Sequence, residues 1–114
     1  MLTYQYSKEI SMSTPAAETV VKIKPREDVQ PPPQYNVIYI NDEVTTAEFV
    51  IETLIVVFGY TREAASEITQ RIHENGSAIV ATLPFEMAEQ KGVEVTQLAR
   101  NNNFPLVVKL EPEQ

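Results

Sequence analysis

The chain has 114 residues, room for one ordinary domain and too few for two. Apolar residues make up 43% and there is no cysteine and a single histidine, His73, so disulfide scaffolds, thiol catalysis and Cys/His metal cages are excluded and no metal or cofactor is expected. The net charge of −7 falls entirely in residues 34–114, where five basic side chains meet twelve acidic ones; this argues against nucleic acid and anionic membrane as partners.

Residues 1–33 differ in kind from the rest. Their charges cancel, four basic against four acidic, and they end in Gln30-Pro-Pro-Pro33, which favours an extended polyproline path and stops any helix before it. Val20-Val21-Lys-Ile23 is too small an apolar cluster to fold alone. The expectation is a flexible N-terminal extension over 1–33 and a folded core over 34–114, with Met12 an alternative start. The opening residues lack the basic-then-apolar pattern of a secretory signal. The longest apolar run, Leu54–Phe58, is far below the ~20 residues of a membrane helix. A soluble, cytoplasmic monomer is expected.

Asn36-Val-Ile-Tyr-Ile40 reads as a strand, broken by the turn formers Asn41-Asp42-Glu43. Thr45-Thr-Ala-Glu48 reads as a capping box, with Thr45 as the cap and Glu48 reaching back. The helix that follows carries Phe49, Val50, Leu54, Val57 and Phe58 at helical spacing, and Gly59 ends it. Thr61 caps a second helix, with Ala64, Ala65, Ile68 and Ile72 on one stripe and Gly76 closing it. Ala78–Leu83 reads as a second strand. Pro84 suits the first turn of a third helix, with Met87, Ala88, Val95, Leu98 and Ala99 facing inward. Asn101–Asn103 ends that helix, and Pro105–Leu110 is the last strand. The order β-α-α-β-α-β predicts an α+β sandwich, a three-stranded sheet with helices packed on one face.

Catalysis finds little support: His73 is the only imidazole available as a base, and no nucleophile motif or phosphate-cradling glycine loop is present. Two polar features stand out. Asn41-Asp42-Glu43 sits between a strand and a capped helix, where turn chemistry alone also accounts for it. His73 sits in the last turn of the second helix, where it can simply answer the helix's negative end. Together they can form a small acceptor-rich cup.

Across Pro31-Pro-Pro-Gln-Tyr-Asn-Val-Ile-Tyr-Ile-Asn-Asp-Glu-Val-Thr-Thr-Ala-Glu-Phe-Val50 the sequence resembles the ClpS adaptor family. The resemblance continues through Ile72-His-Glu-Asn-Gly76, Glu86-Met-Ala-Glu-Gln-Lys91, Ala99-Arg100 and Pro105-Leu106. It implies a non-catalytic adaptor of the N-end rule, which holds the free α-amine and first side chain of a substrate and delivers it to a Clp AAA+ unfoldase, ClpA-like or ClpC-like. By that resemblance Asn41, Asp42 and His73 meet the ammonium and Glu43 stands beside them. Thr45 guards the entrance, and Val50, Ile72 and Leu106 line the apolar wall. Glu86 and Lys91 face the unfoldase. The extension serves delivery rather than binding.

Two departures from the family pattern matter. Glu43 replaces the usual second Asp, and Ala47 stands where a Met usually narrows the pocket. A wider pocket is expected, admitting first-residue Ile or Val beside Leu, Phe, Tyr and Trp. An ammonium offers donors only, so it needs neutral imidazole, amide or carboxylate acceptors; protonating His73 should weaken binding below about pH 6. The rival binding-module reading, a fold like the C-terminal domain of the ribosomal stalk protein, wants a lysine-rich helix face, and the body has only Lys91 and Lys109.

Overall fold

The computed structural model describes residues 31–114, so the expectation for residues 1–30 lies outside the described residues. The elements are β1 (Gln34–Ile40), α1 (Ala47–Val56), α2 (Arg62–Asn75), β2 (Ser77–Pro84), α3 (Phe85–Asn101) and β3 (Val107–Pro112). This is the α+β order that the sequence predicts. The strands form one antiparallel sheet in the order β2-β1-β3. β1 is therefore the central strand, which suits its β-branched and aromatic content.

Alternation along β1 sends Val37 and Tyr39 to the helix-covered face, where both are fully buried. α3 lies against all three strands, α2 packs on β2, and α1 packs on α2. The core joins those strand residues to Leu54, Ala65, Ile68, Ile72, Ala88, Val95, Ala99 and Leu106. One irregularity shapes the sheet: Val37 pairs with Ala81 and Ile38 with Ile79, leaving Val80 as a bulge residue. The bulge turns Val80 into the core, and its carbonyl accepts the Tyr60 hydroxyl.

Three local expectations are corrected. Thr46, not Thr45, caps α1, its hydroxyl accepting from Phe49 N at 3.1 Å. Thr45 is instead drawn to Asp42, and Glu48 pairs with Arg62 at 3.3 Å rather than reaching back. Pro84 ends β2 and precedes α3 in extended conformation, φ −55° and ψ 150°, instead of lying inside the helix. Met87 does not face inward. It is 47% exposed, because Ala88 takes the buried position beside it. Thr61 caps α2 through Ala64 N at 3.1 Å, and Gly76 closes it in the left-handed region at φ 87°, as expected. No helix among the described residues is long and apolar enough to cross a membrane.

Candidate functional site

The cup forms where β1 ends and α2 ends. Gly76 donates its N–H to Ile72 O at 2.9 Å, which closes α2. Its carbonyl accepts from Asn41 N at 2.8 Å, and Ser77 pairs with Ile40. These main-chain bonds clasp the end of β1 to the end of α2, so Asn41 and His73 share one rim although 31 positions separate them in the chain.

The loop from β1 to α1 is ordered by Asp42. One carboxylate oxygen accepts from Val44 N at 2.8 Å and Thr45 N at 2.6 Å, and the other accepts from the Thr45 hydroxyl at 2.8 Å. An aspartate that bonds backbone N–H groups two and three residues ahead fixes a turn before a helix. Burial alone would raise the Asp42 pKa, but the bonds from Thr45 and Val44 and the nearby Arg100 guanidinium outweigh it. The net shift is below the ordinary carboxylate value. Asp42 is thus an anion at neutral pH with lone pairs to spare.

Behind the loop, α1 supplies the apolar wall. Val50 is buried, and its carbonyl accepts the Thr53 hydroxyl at 2.8 Å. Thr53 in turn meets the Tyr39 hydroxyl at 2.7 Å. Burial pushes the Tyr39 phenol up, with the Thr53 bond working against it, so the group stays neutral. This chain anchors Val50 to the central strand.

The resulting cavity, of about 460 Å³, is lined by Asn41, Asp42, Glu43, Thr45, Ala47, Val50, Thr69, Gln70, Ile72 and His73. Eight of these ten are residues that the sequence picks out. Its lining combines acceptors from Asn41, Asp42 and His73 with the apolar side chains of Ala47, Val50 and Ile72. Such a cavity suits a small cationic head joined to an apolar body. Among the described residues no group of three or more His, Asp or Glu side chains is placed to hold a metal ion.

Leu106 is not on the lining. It is buried at 1% exposure in the core, and its carbonyl accepts from Arg100 Nη1 at 3.0 Å. Thr69 and Gln70 line the cavity without having been singled out. They lie four and three residues before His73 on α2, so helical spacing from His73 is the signal that finds them.

Glu86 is exposed in the first turn of α3. Lys91 is half-buried, and its ammonium donates to Val57 O at 3.0 Å, at the C-terminal cap of α1. A cation there answers the helix's negative end. Lys91→Met should therefore cost about 1 kcal/mol of stability, read as a lower urea midpoint with unchanged slope.

Comparison with known proteins adds an independent result. Residues 30–109 match the family model of the ATP-dependent Clp protease adaptor protein ClpS. The chain is 40% identical over 95 residues to the ATP-dependent Clp protease adapter protein ClpS of Pectobacterium carotovorum subsp. carotovorum (strain PC1), covering 83% of this chain and 90% of that one. It is 36% identical over 96 residues to the ClpS adapter of Acetivibrio thermocellus, covering 84% and 97%. Among solved structures it is similar to Agrobacterium tumefaciens ClpS2 bound to L-phenylalaninamide, with TM-score 0.71 and 35% identity, covering 73% of this chain and 100% of that one.

Proposed function

The chain belongs to the ClpS family of ATP-dependent Clp protease adaptors, and on that premise we propose that its cavity holds the first residue of substrate proteins bearing an N-terminal degradation signal. The observation that carries this reading is the make-up of the cavity, which brings the acceptors Asn41, Asp42 and His73 together with the apolar Ala47, Val50 and Ile72. An α-ammonium bonds Asn41, Asp42 and His73, while the attached Phe, Leu, Tyr or Trp side chain packs on Ala47, Val50 and Ile72. The ligand in the related ClpS2 structure is a phenylalanine derivative, which has that chemistry: a basic amine beside a bulky apolar group.

Charge-assisted bonds to the ammonium are worth roughly 1.5–3 kcal/mol each. Burial of the side chain adds a further ~1.5–3 kcal/mol. Set against at least ~4 kcal/mol for association, three such bonds and the buried side chain leave at most ~8 kcal/mol, which is micromolar affinity at best. No covalent step is needed, so the protein works by binding and handover, without catalysis. Glu86 and Lys91 then contribute to the contact with a ClpA-like or ClpC-like unfoldase, and residues 1–33 serve delivery.

Fluorescence anisotropy of the full chain with labelled peptides differing only at residue one tests this. Phe- and Leu-first peptides should bind saturably, and a Ser-first peptide should not. Acetylating the Phe amine removes its charge and two of its donors, so binding should vanish. An acetylated peptide that binds as well as the free one would overturn the assignment.

A further inference from the structure

On the reading that the cavity holds a substrate's first residue, we infer that Thr69 makes it select aromatic rings that carry a hydrogen-bond donor, tyrosine and tryptophan, over phenylalanine. Thr69 is the one buried polar side chain on the lining, at 9% exposure. Its hydroxyl proton is spent on Ala65 O at 2.7 Å, inside α2. The oxygen keeps a lone pair to which no donor among the described residues is directed, so Thr69 can act toward a ligand only as an acceptor.

The placement suits a ring substituent. Thr69 precedes His73 by four residues on the same helix face, about 6 Å along the axis. A first residue whose amine lies at His73 and whose side chain runs along α2 brings its far end to Thr69. A phenol O–H or an indole N–H there finds a buried oxygen with a lone pair to spare. Phenylalanine covers the same oxygen and offers nothing to it, which leaves a buried acceptor unpaired. A pocket that pairs a ligand donor in this way discriminates against the isostere that lacks it. Of the other lining groups, Ala47, Val50 and Ile72 are apolar and Gln70 is exposed, its amide N–H₂ drawn to Glu74 at 2.7 Å, so Thr69 is the buried acceptor among them.

The test uses the full chain and peptides beginning with Phe, Tyr, Trp or 4-methylphenylalanine, the last matching tyrosine in shape without its donor. Wild type should bind Tyr and Trp about fivefold more tightly than Phe, the factor expected for one neutral hydrogen bond. The 4-methylphenylalanine peptide should bind no better than Phe. Thr69→Val, which keeps the shape and removes the oxygen, should bring the Tyr/Phe and Trp/Phe ratios to about one. Thr69→Ser, which keeps the oxygen, should retain the preference. Equal wild-type affinity for Phe, Tyr and Trp would overturn the inference while leaving the proposed function standing, and so would a preference that survives Thr69→Val. Absence of any Phe binding by wild type would overturn both.

Discussion

Asp42→Ala should lower affinity for a Phe-first peptide about 100-fold and reduce stability by about 2 kcal/mol. Both losses have one origin. The carboxylate proposed to meet the ammonium also holds Val44 N, Thr45 N and the Thr45 hydroxyl, so on that reading its removal takes away a ligand bond and frees the loop that frames the cavity. Asp42→Asn separates the two effects. Its amide oxygen still accepts from the two backbone N–H groups, so stability should fall by less than about 1 kcal/mol. The charge is gone, however, and binding should still drop at least tenfold. An Asn variant that binds Phe as wild type does would remove Asp42 from ammonium recognition.

The same bonds give a pH dependence of folding. Asp42 has a lower pKa in the folded protein than its ordinary value of 3.8. Its contribution is therefore complete above that value and is lost as pH falls through the folded pKa. Wild type should lose stability over that acid interval more steeply than Asp42→Asn, which has nothing there to protonate. Urea midpoints collected between pH 5 and pH 2 give the comparison.

Ala47→Met should shut out first-residue Ile and Val by tenfold or more while keeping Leu and Phe within about threefold. Ala47 is the first residue of α1, exposed, and on the cavity lining. Alanine lacks the Cγ, Sδ and Cε of the methionine that the family pattern has at this position. A β-branched ligand carries its extra carbon close to the amine, on the side where that methionine would stand. Overpacking of this kind costs about 1–3 kcal/mol, enough for the tenfold change. Met is as good a helix former as this position needs, so the variant should fold. The measurement is the same set of peptides on both proteins. If wild type already rejects Ile and Val, Ala47 does not set the width of the pocket.

The fold was legible because each element announces itself by period and punctuation. β1 alternates around Val37 and Tyr39, α2 runs from a threonine cap to a glycine, and the Asn101–Asn103 run closes α3. What misled was local competition. Thr45 and Thr46 are equally good caps by type, and only the tertiary bond from Thr45 to Asp42 decides between them. Met87 is an apolar residue at the edge of a stripe, and the small Ala88 wins the inner position because α3 lies close to the sheet. The polar end of the site could be read from turn chemistry at Asn41-Asp42 and from an isolated histidine. Thr69 and Gln70 could not, since neither is unusual on a helix; they matter only because α2 carries them to the same rim as His73. Leu106 shows the converse. An apolar residue assigned to the wall is placed by packing in the core, with only its carbonyl reaching toward Arg100.

The clasp between Asn41 N and Gly76 O has an evolutionary consequence. The two halves of the cavity are joined through main-chain atoms, and Gly76 needs only freedom at φ, with no side chain of its own to fit. Residues at 47, 69 and 70 take no part in that joint. They can be exchanged without moving the rim on which Asn41 and His73 stand, so such a frame can vary the shape of its cavity by single substitutions while the positions of those two side chains are inherited intact.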